Sequence, residues 1–539
     1  MCIRDSSNSV LLGDESEDGW GIKYATEFHM TNDSKLFPPR TKWEEWGYRP
    51  DEYSRWIKGP WKPIGELYAE LGVKPLHEDK TCCAQPPYDK LPIRRADIPA
   101  GIILSREADC WIKEDEIPEV TFTDANGRAL KVKIGRGRQR QEIEVKGQAI
   151  ALPLYQGLMF YDMCPNVRWY VSGAGHHAVW EQAENVEFLR TQFLLPRRVY
   201  NLSESAINDL KLAFRSLSNS TNERTIVCSL VDDLPCGHSI NHVNPARLED
   251  KIAGAAMAGT LVYDWQMRNR IVGTNVTWNF LSESCWPRPS SKLYKLVAVL
   301  IYGLMLPAKR HSALWLILEK LGIEKSWFSL WVRTGHQSLR FKCIINAIIA
   351  GLSNLDEASY RWILDDCDHP IETLRAESSK FNPKGFWRVD KTKHPEHRLT
   401  VLSYVAFCDL QEKIKECSGD VEKGIEAFCN QNDGEGWMLP ETLRLADYGL
   451  GHDDRAKEPQ PVRDYFGPRF YDWQLAQSPE ESWKECHLHA RNLLGEKGYK
   501  RLLAELEGKE IEEEPTPPGM LFDDGKDHMP LFDRKEGKS

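Results

Sequence analysis

The spacing of apolar residues predicts strands in the first half of the chain and helices in the second. From Glu119 onward apolar and polar residues alternate, which is the period of a half-buried strand. Two alternating runs, residues 120–123 and 129–134, flank Asp124-Ala125-Asn126-Gly127. A turn-forming tetrapeptide between two such runs predicts a β-hairpin.

The same reasoning extends to shorter segments on either side. Alternation predicts strands at residues 198–200 and 212–215, and the apolar run 226–230 predicts a buried strand. Residues 38–118 are rich in Pro, Trp and charge and have weak periodicity. We expect them to be irregular with short helices, one of them around residues 64–71.

A helical period begins at residue 250. Residues 250–265 have the pattern of one amphipathic helix, and residues 341–352 place apolar side chains on one helical face. The apolar run 296–306 is about half the length that a bilayer span needs, so it predicts a core helix. From residue 508 the chain is rich in Glu and Pro, which predicts a disordered tail.

These elements together predict an α+β protein. We expect a mixed α/β domain with β-hairpins, followed by a mainly helical C-terminal region and a disordered tail. The predicted units are a junction segment, a β-rich domain, a helical domain, a C-terminal helical region and the tail: residues 1–118, 119–290, 291–370, 371–507 and 508–539.

Composition narrows the class of protein. The fractions of charged and apolar residues are those of a soluble globular protein. The net charge is −10, so any nucleic-acid site must be a local basic patch on an acidic body. The 14 cysteines show no CxxC pair or zinc-type spacing, which indicates reduced thiols in a cytoplasmic protein without a metal site. Residues 1–18 lack the apolar core of a secretory signal, and we expect no membrane partner. Most of the 19 tryptophans are expected in the core.

The most basic stretch lies at the end of the predicted hairpin. Residues 128–146 hold seven basic and two acidic residues, a local excess of +5. The glycines of Gly135-Arg136-Gly137-Arg138-Gln139-Arg140 let the backbone approach a ligand, and guanidinium groups suit phosphate and guanine. Arg136, Arg138 and Arg140 are therefore candidate DNA contacts. The alternative interpretation is a solvated hairpin tip.

Three landmarks follow one another between residues 151 and 286. They are Leu154-Tyr155-Gln156-Gly157 with Val171-Ser172-Gly173-Ala174-Gly175; Phe214-Arg215-Ser216-Leu217-Ser218 with Thr221-Asn222-Glu223-Arg224-Thr225; and Gln266-Met267-Arg268 with Gly273-Thr274-Asn275-Val276-Thr277-Trp278-Asn279-Phe280. Their order and spacing resemble the region behind the catalytic domain in large adenine-specific DNA methyltransferases. These are the single-chain type IIG restriction–modification enzymes and the BREX phage-exclusion methyltransferases.

The resemblance implies a target-recognition region that reads double-stranded DNA and positions a methyltransferase domain, in cis or in trans. In the family a segment of the form Thr-(Asn/Asp)-x-Arg-Thr follows an Arg-rich strand. The resemblance therefore implies DNA contacts by Arg215, Asn222, Arg224 and Thr225. An ion pair between Arg224 and Glu223 that fixes the turn is an equally good interpretation of part of this segment.

The motifs of methyl transfer itself are missing from the chain. Gln85-Pro86-Pro87-Tyr88 departs from the Asn/Asp-Pro-Pro-Tyr of adenine methyltransferases and is predicted to be a Pro-Pro turn. No Gly-rich cofactor turn precedes it. We expect no catalytic and no cofactor-binding residue in this chain, and S-adenosylmethionine is expected for the missing catalytic domain. The rival class is a non-enzymatic scaffold whose Trp-rich surface binds a partner protein.

One motif lies in the tail. His528-Met529-Pro530-Leu531-Phe532 resembles the short Leu-Phe peptides that dock in the bacterial sliding clamp. The alternative is an incidental Leu-Phe pair in a polar tail.

Overall fold

A computed structural model describes residues 9–73, 93–134, 141–203, 209–440, 448–450, 452, 466–467 and 469–509 of the chain. The strands are β1 (Ser9–Leu11), β2 (Lys23–Ala25), β3 (Arg49–Pro50), β4 (Trp56–Ile57), β5 (Lys62–Pro63), β6 (Ile102–Leu104), β7 (Cys110–Lys113), β8 (Glu119–Thr121), β9 (Lys131–Ile134), β10 (Gln141–Glu144), β11 (Lys146–Gln148), β12 (Ile150–Pro153), β13 (Arg168–Ser172), β14 (Val179–Gln182), β15 (Leu194–Pro196), β16 (Lys211–Arg215), β17 (Cys228–Val231), β18 (Ile240–Asn244) and β19 (Cys285–Pro287).

The α-helices concentrate after residue 247. They are α1 (Arg40–Glu45), α2 (Ile64–Glu70), α3 (Arg197–Leu202), α4 (Leu248–Ala258), α5 (Leu261–Arg268), α6 (Trp278–Ser282), α7 (Ser291–Met305), α8 (Ser312–Lys320), α9 (Gly335–Leu352), α10 (Glu357–Ile363), α11 (Ile371–Glu377), α12 (Leu399–Glu416), α13 (Val421–Gly434), α14 (Asp472–Ala476) and α15 (Pro479–Leu506). Small antiparallel sheets followed by helices confirm the predicted α+β class.

A four-stranded antiparallel sheet, ordered β17-β16-β18-β2, lies between two hydrophobic clusters. Successive side chains of a strand point to opposite faces, so one strand can serve both clusters. In β16, Leu212 and Phe214 pack into the helical cluster, whereas Ala213 packs into the β-rich cluster. The sheet therefore joins the two halves of the molecule through a shared layer.

The β-rich cluster is built around the sheet β15-β12-β4-β3 and helix α1. Trp43 of α1 packs against Phe122, which follows β8, with ring centroids 6.3 Å apart. A smaller cluster beside it is formed by α2 and the sheet β5-β7-β6. Residues 38–118 were expected to be irregular with short helices; their described part has short helices, and it also contributes five short strands to these sheets, which the expectation missed. The helix expected near residues 64–71 is confirmed as α2.

The helical cluster contains residues on both sides of position 290, among them Trp286 and Leu293. Its centre is α9, whose side chains are buried along almost its whole length. Thr334 begins this helix: its side chain accepts a hydrogen bond from the Gln337 backbone amide, and its own backbone amide donates to the Gln337 side-chain oxygen. The core helix expected at residues 296–306 is confirmed as part of α7.

Two local predictions are wrong. Residues 198–200 were expected to be a strand, but they lie in α3, which begins directly after Pro196 and buries Val199 and Tyr200. The single helix expected at residues 250–265 is two helices, α4 and α5. The break falls at Gly259-Thr260, where the Thr260 side chain caps α5 by accepting from the Tyr263 amide.

The last long helix, α15, returns to the first part of the chain. Tyr53 and His489 form a buried hydrogen bond of 2.9 Å between the phenol oxygen and Nδ1. The Asn492 side chain accepts from the Gly101 amide at 2.8 Å and donates to Tyr53. None of the helices in the described residues is long and apolar enough to cross a membrane. The Leu-Phe motif, and all of the predicted tail except residues 508 and 509, lie outside the described residues.

Candidate nucleic-acid interface

Of the hairpin predicted at residues 120–134, the turn is present, but its first strand, β8, pairs with β11, and the basic stretch is anchored by the pair β9 and β10. β9 and β10 pair antiparallel, and the last described pair before the connecting segment is Ile134 with Gln141. Along the ladder Glu142 stands opposite Lys133, and Glu144 stands opposite Lys131. Opposite charges that face each other across two strands stabilise the pairing. Arg136, Arg138 and Arg140 lie in the connecting segment 135–140, outside the described residues.

Arg215 lies at the end of β16 and is half-buried. Its Nε donates to the Gly157 carbonyl at 2.8 Å, and its Nη2 donates to the Phe160 carbonyl at 2.7 Å. Burial lowers the pKa of this guanidinium below its usual value. Arg215 therefore ties the first landmark to the second, and part of its hydrogen-bonding capacity is already used within the fold.

Arg224 is buried, with 2% of its surface exposed. Its Nε lies 3.3 Å from Asp264 and 3.5 Å from Asp162, and one terminal nitrogen donates to the Gly259 carbonyl at 2.7 Å. Burial alone would lower the pKa of Arg224, but the two carboxylates raise it. An ion pair does hold this turn, yet its partners are Asp264 and Asp162 rather than Glu223.

Thr225 is buried beside Arg224, and its backbone amide donates to Asp264 at 3.0 Å. The expected DNA contacts of Arg224 and Thr225 are therefore corrected. A fully buried side chain that is hydrogen-bonded inside the protein cannot reach a phosphate or a base edge. Neither residue is carried into the proposed interface.

Asn222 remains accessible. It lies in the exposed loop that precedes Arg224, and its side-chain amide donates to the Ser218 hydroxyl at 3.2 Å. Leu217 and Val272, near the same loop, are among the most exposed large apolar side chains of the described residues. The loop therefore combines a polar side chain and apolar ones that a DNA surface could contact.

A cavity of about 410 Å³ opens near this loop. Arg268 lines it and also donates a hydrogen bond to the Glu223 carbonyl, which connects the cavity to the loop. Trp265 and Trp362 face each other edge-to-face across 5.6 Å, and Trp362 is 65% exposed. The remaining lining is mostly polar and includes Gln266, Asn269, Arg270, Asp365, Asp366, Asn382 and Lys384.

A second and smaller pocket lies in the β-rich half. It brings together Arg40, Arg106 and Arg190, which sequence reasoning missed. The three arginines are separated by 66 and 84 residues along the chain, so no local motif identifies them.

One buried group has the residue types of a metal site. Glu27, Cys236 and His242 place possible ligand atoms within 4.8 Å of one another. However, Lys211 Nζ lies 2.8 Å from the Glu27 carboxylate, and the Cys236 amide also donates to that carboxylate at 2.7 Å. Burial raises the pKa of the Cys236 thiol, which disfavours the thiolate that a metal needs. An ammonium group therefore already balances the carboxylate, and the residues fit a buried ion pair better than a metal site.

The thiols that the structure describes are free, in agreement with the expectation of reduced cysteines. Gln85-Pro86-Pro87-Tyr88 lies outside the described residues. Comparison with known proteins finds 35% identity over 68 residues to the Sec-independent protein translocase protein TatA of Bartonella quintana (strain Toulouse). The match spans 13% of this chain and 66% of that protein, slightly less than two thirds of its length. No family model and no solved structure matches the chain.

Proposed function

We propose that the chain is the DNA sequence-recognition portion of an adenine-specific DNA methyltransferase from a restriction–modification or phage-defence system. In this proposal the chain holds duplex DNA in the cytoplasm, and a catalytic domain acts beside it, in cis or in trans. That domain binds S-adenosylmethionine and methylates the adenine amine. The three landmark motifs and the charge pattern of the β9–β10 hairpin support the proposal.

The charge pattern of the hairpin is the observation that carries it. The two glutamates of the segment stand opposite two of its lysines, so their charges cancel along the ladder. The local excess of +5 therefore resides in Arg128 and Lys146 at the base and in Arg136, Arg138 and Arg140 beyond the last strand pair. Uncompensated like charges repel one another, and a polyanionic partner removes that repulsion.

The test compares duplex DNA binding by the 539-residue chain and by a variant with Arg136, Arg138 and Arg140 replaced by Ala. Affinity is measured at several salt concentrations, because each phosphate contact contributes about 0.9 to the log–log salt slope. We expect weaker binding and a shallower slope. If one arginine reads a base, its single replacement costs about 1–3 kcal/mol on the preferred site and relaxes specificity there.

A matched control removes the same charge from the helical half of the molecule. Lys413, Lys423 and Lys500 are surface residues that form ion pairs within their own segments. Their replacement by Ala should leave affinity and slope nearly unchanged. Equal effects of the two triple variants, or no salt-dependent binding by the unmodified chain, would contradict the proposal.

The rival scaffold function requires tryptophan side chains that are exposed on the surface. Among the tryptophans whose side chains the structure describes, Trp362 is exposed and the others are buried or half-buried. Large aromatic rings that fill a core are not available to a partner. Duplex DNA binding separates the two proposals, because a protein scaffold requires none.

A further inference from the structure

Three arginines from distant segments converge on one pocket of about 320 Å³. Arg40 is the first residue of α1, Arg106 lies between β6 and β7, and Arg190 lies between β14 and β15. The lining is completed by one acid and three apolar or aromatic side chains: Glu44, Tyr48, Pro50 and Trp56. The pocket wall thus contains three cations and one anion.

Arg106 is the buried member, with 8% of its surface exposed. One terminal nitrogen donates to the Leu189 carbonyl at 2.9 Å, but its Nε is buried without a hydrogen-bond partner among the described residues. Burial, together with the nearby Arg190 and Arg40 charges, lowers the pKa of Arg106 to about 10. A buried guanidinium with an open donor is costly unless something else completes its bonding.

Arg40 and Arg190 are held in place by contacts that leave positive charge at the pocket. Arg40 donates to the carbonyls of Tyr170 and Val171 at 3.3 and 3.4 Å, and its Nε lies 3.2 Å from Glu44. The Arg190 guanidinium stacks 4.3 Å from the centroid of Trp169. Among the described residues it has neither a hydrogen-bond nor an ion-pair partner.

The nearest other acids do not neutralise the group. Asp51 is bound by Arg55 at 2.8 Å, and Glu107 is exposed beside Arg106. Guanidinium groups fixed in orientation match the oxygens of a phosphate through paired hydrogen bonds. From this geometry we propose that the pocket of Arg40, Arg106 and Arg190 binds a phosphate group.

The phosphate has two possible sources, a DNA backbone or free inorganic phosphate. The pocket lies where Arg40 contacts β13, and α1 also contacts Phe122 at the base of the basic hairpin through Trp43. Both basic features are thus attached to one hydrophobic cluster. A DNA source would make the pocket an anchor for the backbone, and only this assignment of the source rests on the proposed function.

The site is tested first with inorganic phosphate and the full chain. Thermal unfolding is followed while phosphate replaces chloride at constant ionic strength, because a ligand that binds the folded state raises the midpoint. We expect a saturable rise for the unmodified chain. Arg190→Gln should weaken phosphate binding by about tenfold or more, since it removes charged hydrogen bonds, whereas Arg190→Lys should retain part of the effect.

Lys42→Gln is the control, because Lys42 lies on the same helix as Arg40 and pairs with Glu45 at 2.7 Å. It removes the same charge outside the pocket and should leave the phosphate effect unchanged. Arg40→Gln provides a second pocket variant with the expected loss. No stabilisation by phosphate, or equal stabilisation of the unmodified chain and Arg190→Gln, would overturn the site.

Duplex DNA then identifies the source. Arg190→Gln should weaken DNA binding and reduce the salt slope by about 0.9 if a backbone phosphate occupies the pocket. If Arg190→Gln loses the phosphate effect but keeps its DNA affinity, the site is supported and its ligand is free phosphate. Phosphate binding without any duplex binding supports the site and refutes the proposed function. Duplex binding through the hairpin without any phosphate effect overturns the site alone.

Discussion

The numbers of buried cations and anions around Arg224 predict how strongly two substitutions in this group lower the stability of the chain. Arg224, Arg268 and Lys342 are the cations of this group, and Asp162 and Asp264 are the anions. Lys342 lies 2.8 Å from Asp162, and Arg268 bonds to Asp264. Arg224 lies between the two carboxylates. The folded group therefore has three positive and two negative charges.

The two single substitutions have different consequences for this balance. Arg224→Met leaves Lys342 with Asp162 and Arg268 with Asp264, so both remaining pairs are neutral. It loses hydrogen bonds to the Gly259 and Thr260 carbonyls, which we expect to cost about 1–2 kcal/mol.

Asp264→Asn leaves three cations with one anion in a buried environment, and it weakens the acceptor for the amides of Thr225 and Ile226. Removing one partner of a buried pair costs about 3–5 kcal/mol. Asp264→Asn should therefore lower the stability of the chain by about 2 kcal/mol more than Arg224→Met.

Urea unfolding followed by circular dichroism measures the difference, and duplex DNA binding by Arg224→Met supplies an independent readout. We expect the folded Arg224→Met variant to keep its DNA affinity, because the side chain is buried. The reasoning is refuted if Arg224→Met is as destabilising as Asp264→Asn. A tenfold loss of DNA affinity in folded Arg224→Met would instead indicate that Arg224 contacts DNA directly.

Substitutions at two glycines and one histidine, a binding assay with the Leu-Phe peptide and a methyl-transfer assay test the remaining predictions. Gly254→Ala should destabilise α4 by about 1–3 kcal/mol, because a Cβ there would lie 2.4 Å from Trp286. In contrast, Gly65→Ala, with open space around its Cβ, should stabilise the chain by about 0.5–1 kcal/mol. The thermal unfolding midpoint should therefore fall for Gly254→Ala and rise for Gly65→Ala. Burial and two neighbouring arginines lower the pKa of His336 to about 4. Its neutral form thus supports the fold above pH 6.5, and that support is lost as the pH falls towards 4. The urea midpoint of His336→Gln should therefore fall less between pH 7 and pH 5 than that of the unmodified chain. A labelled peptide of residues 526–535 should bind purified sliding clamp saturably, and absence of saturation would end that idea. The isolated chain should transfer no label from S-adenosylmethionine to duplex DNA; labelled DNA above background would contradict this.

Local sequence patterns predicted those elements in which buried apolar residues recur at a regular spacing over many positions. The helical period of residues 341–352 continues for three turns, and α9 includes all of them. The hairpin turn at residues 124–127 is also present, with Gly127 at φ 78°, a conformation that suits glycine. In contrast, the alternation at residues 198–200 covers only three positions. So short a pattern fits a strand and a helical turn equally well.

The candidate site was less predictable because its main contacts join residues that are far apart in the sequence. Arg224 stands in a polar segment that looks exposed, yet its partner Asp264 lies 40 residues later on α5. Burial depends on that tertiary contact and not on the neighbours in sequence. The same holds for Arg190, which is close to Arg40 only after the sheets have assembled. Sequence reasoning could locate the basic hairpin because all of its charges lie within 19 consecutive residues.

The return of α15 to the first part of the chain bears on the order in which the protein can finish folding. Tyr53 and Gly101 meet their partners His489 and Asn492 only after a further 436 and 391 residues, respectively, have been synthesised. At a synthesis rate of about 5–20 residues per second, that interval is on the order of 20–80 s. During it, polar groups that end up buried remain hydrated, and the apolar surface beneath α15 is open to other chains. A shortened version made for DNA-binding work should therefore include residues 479–506, even though they lie far in sequence from the basic hairpin.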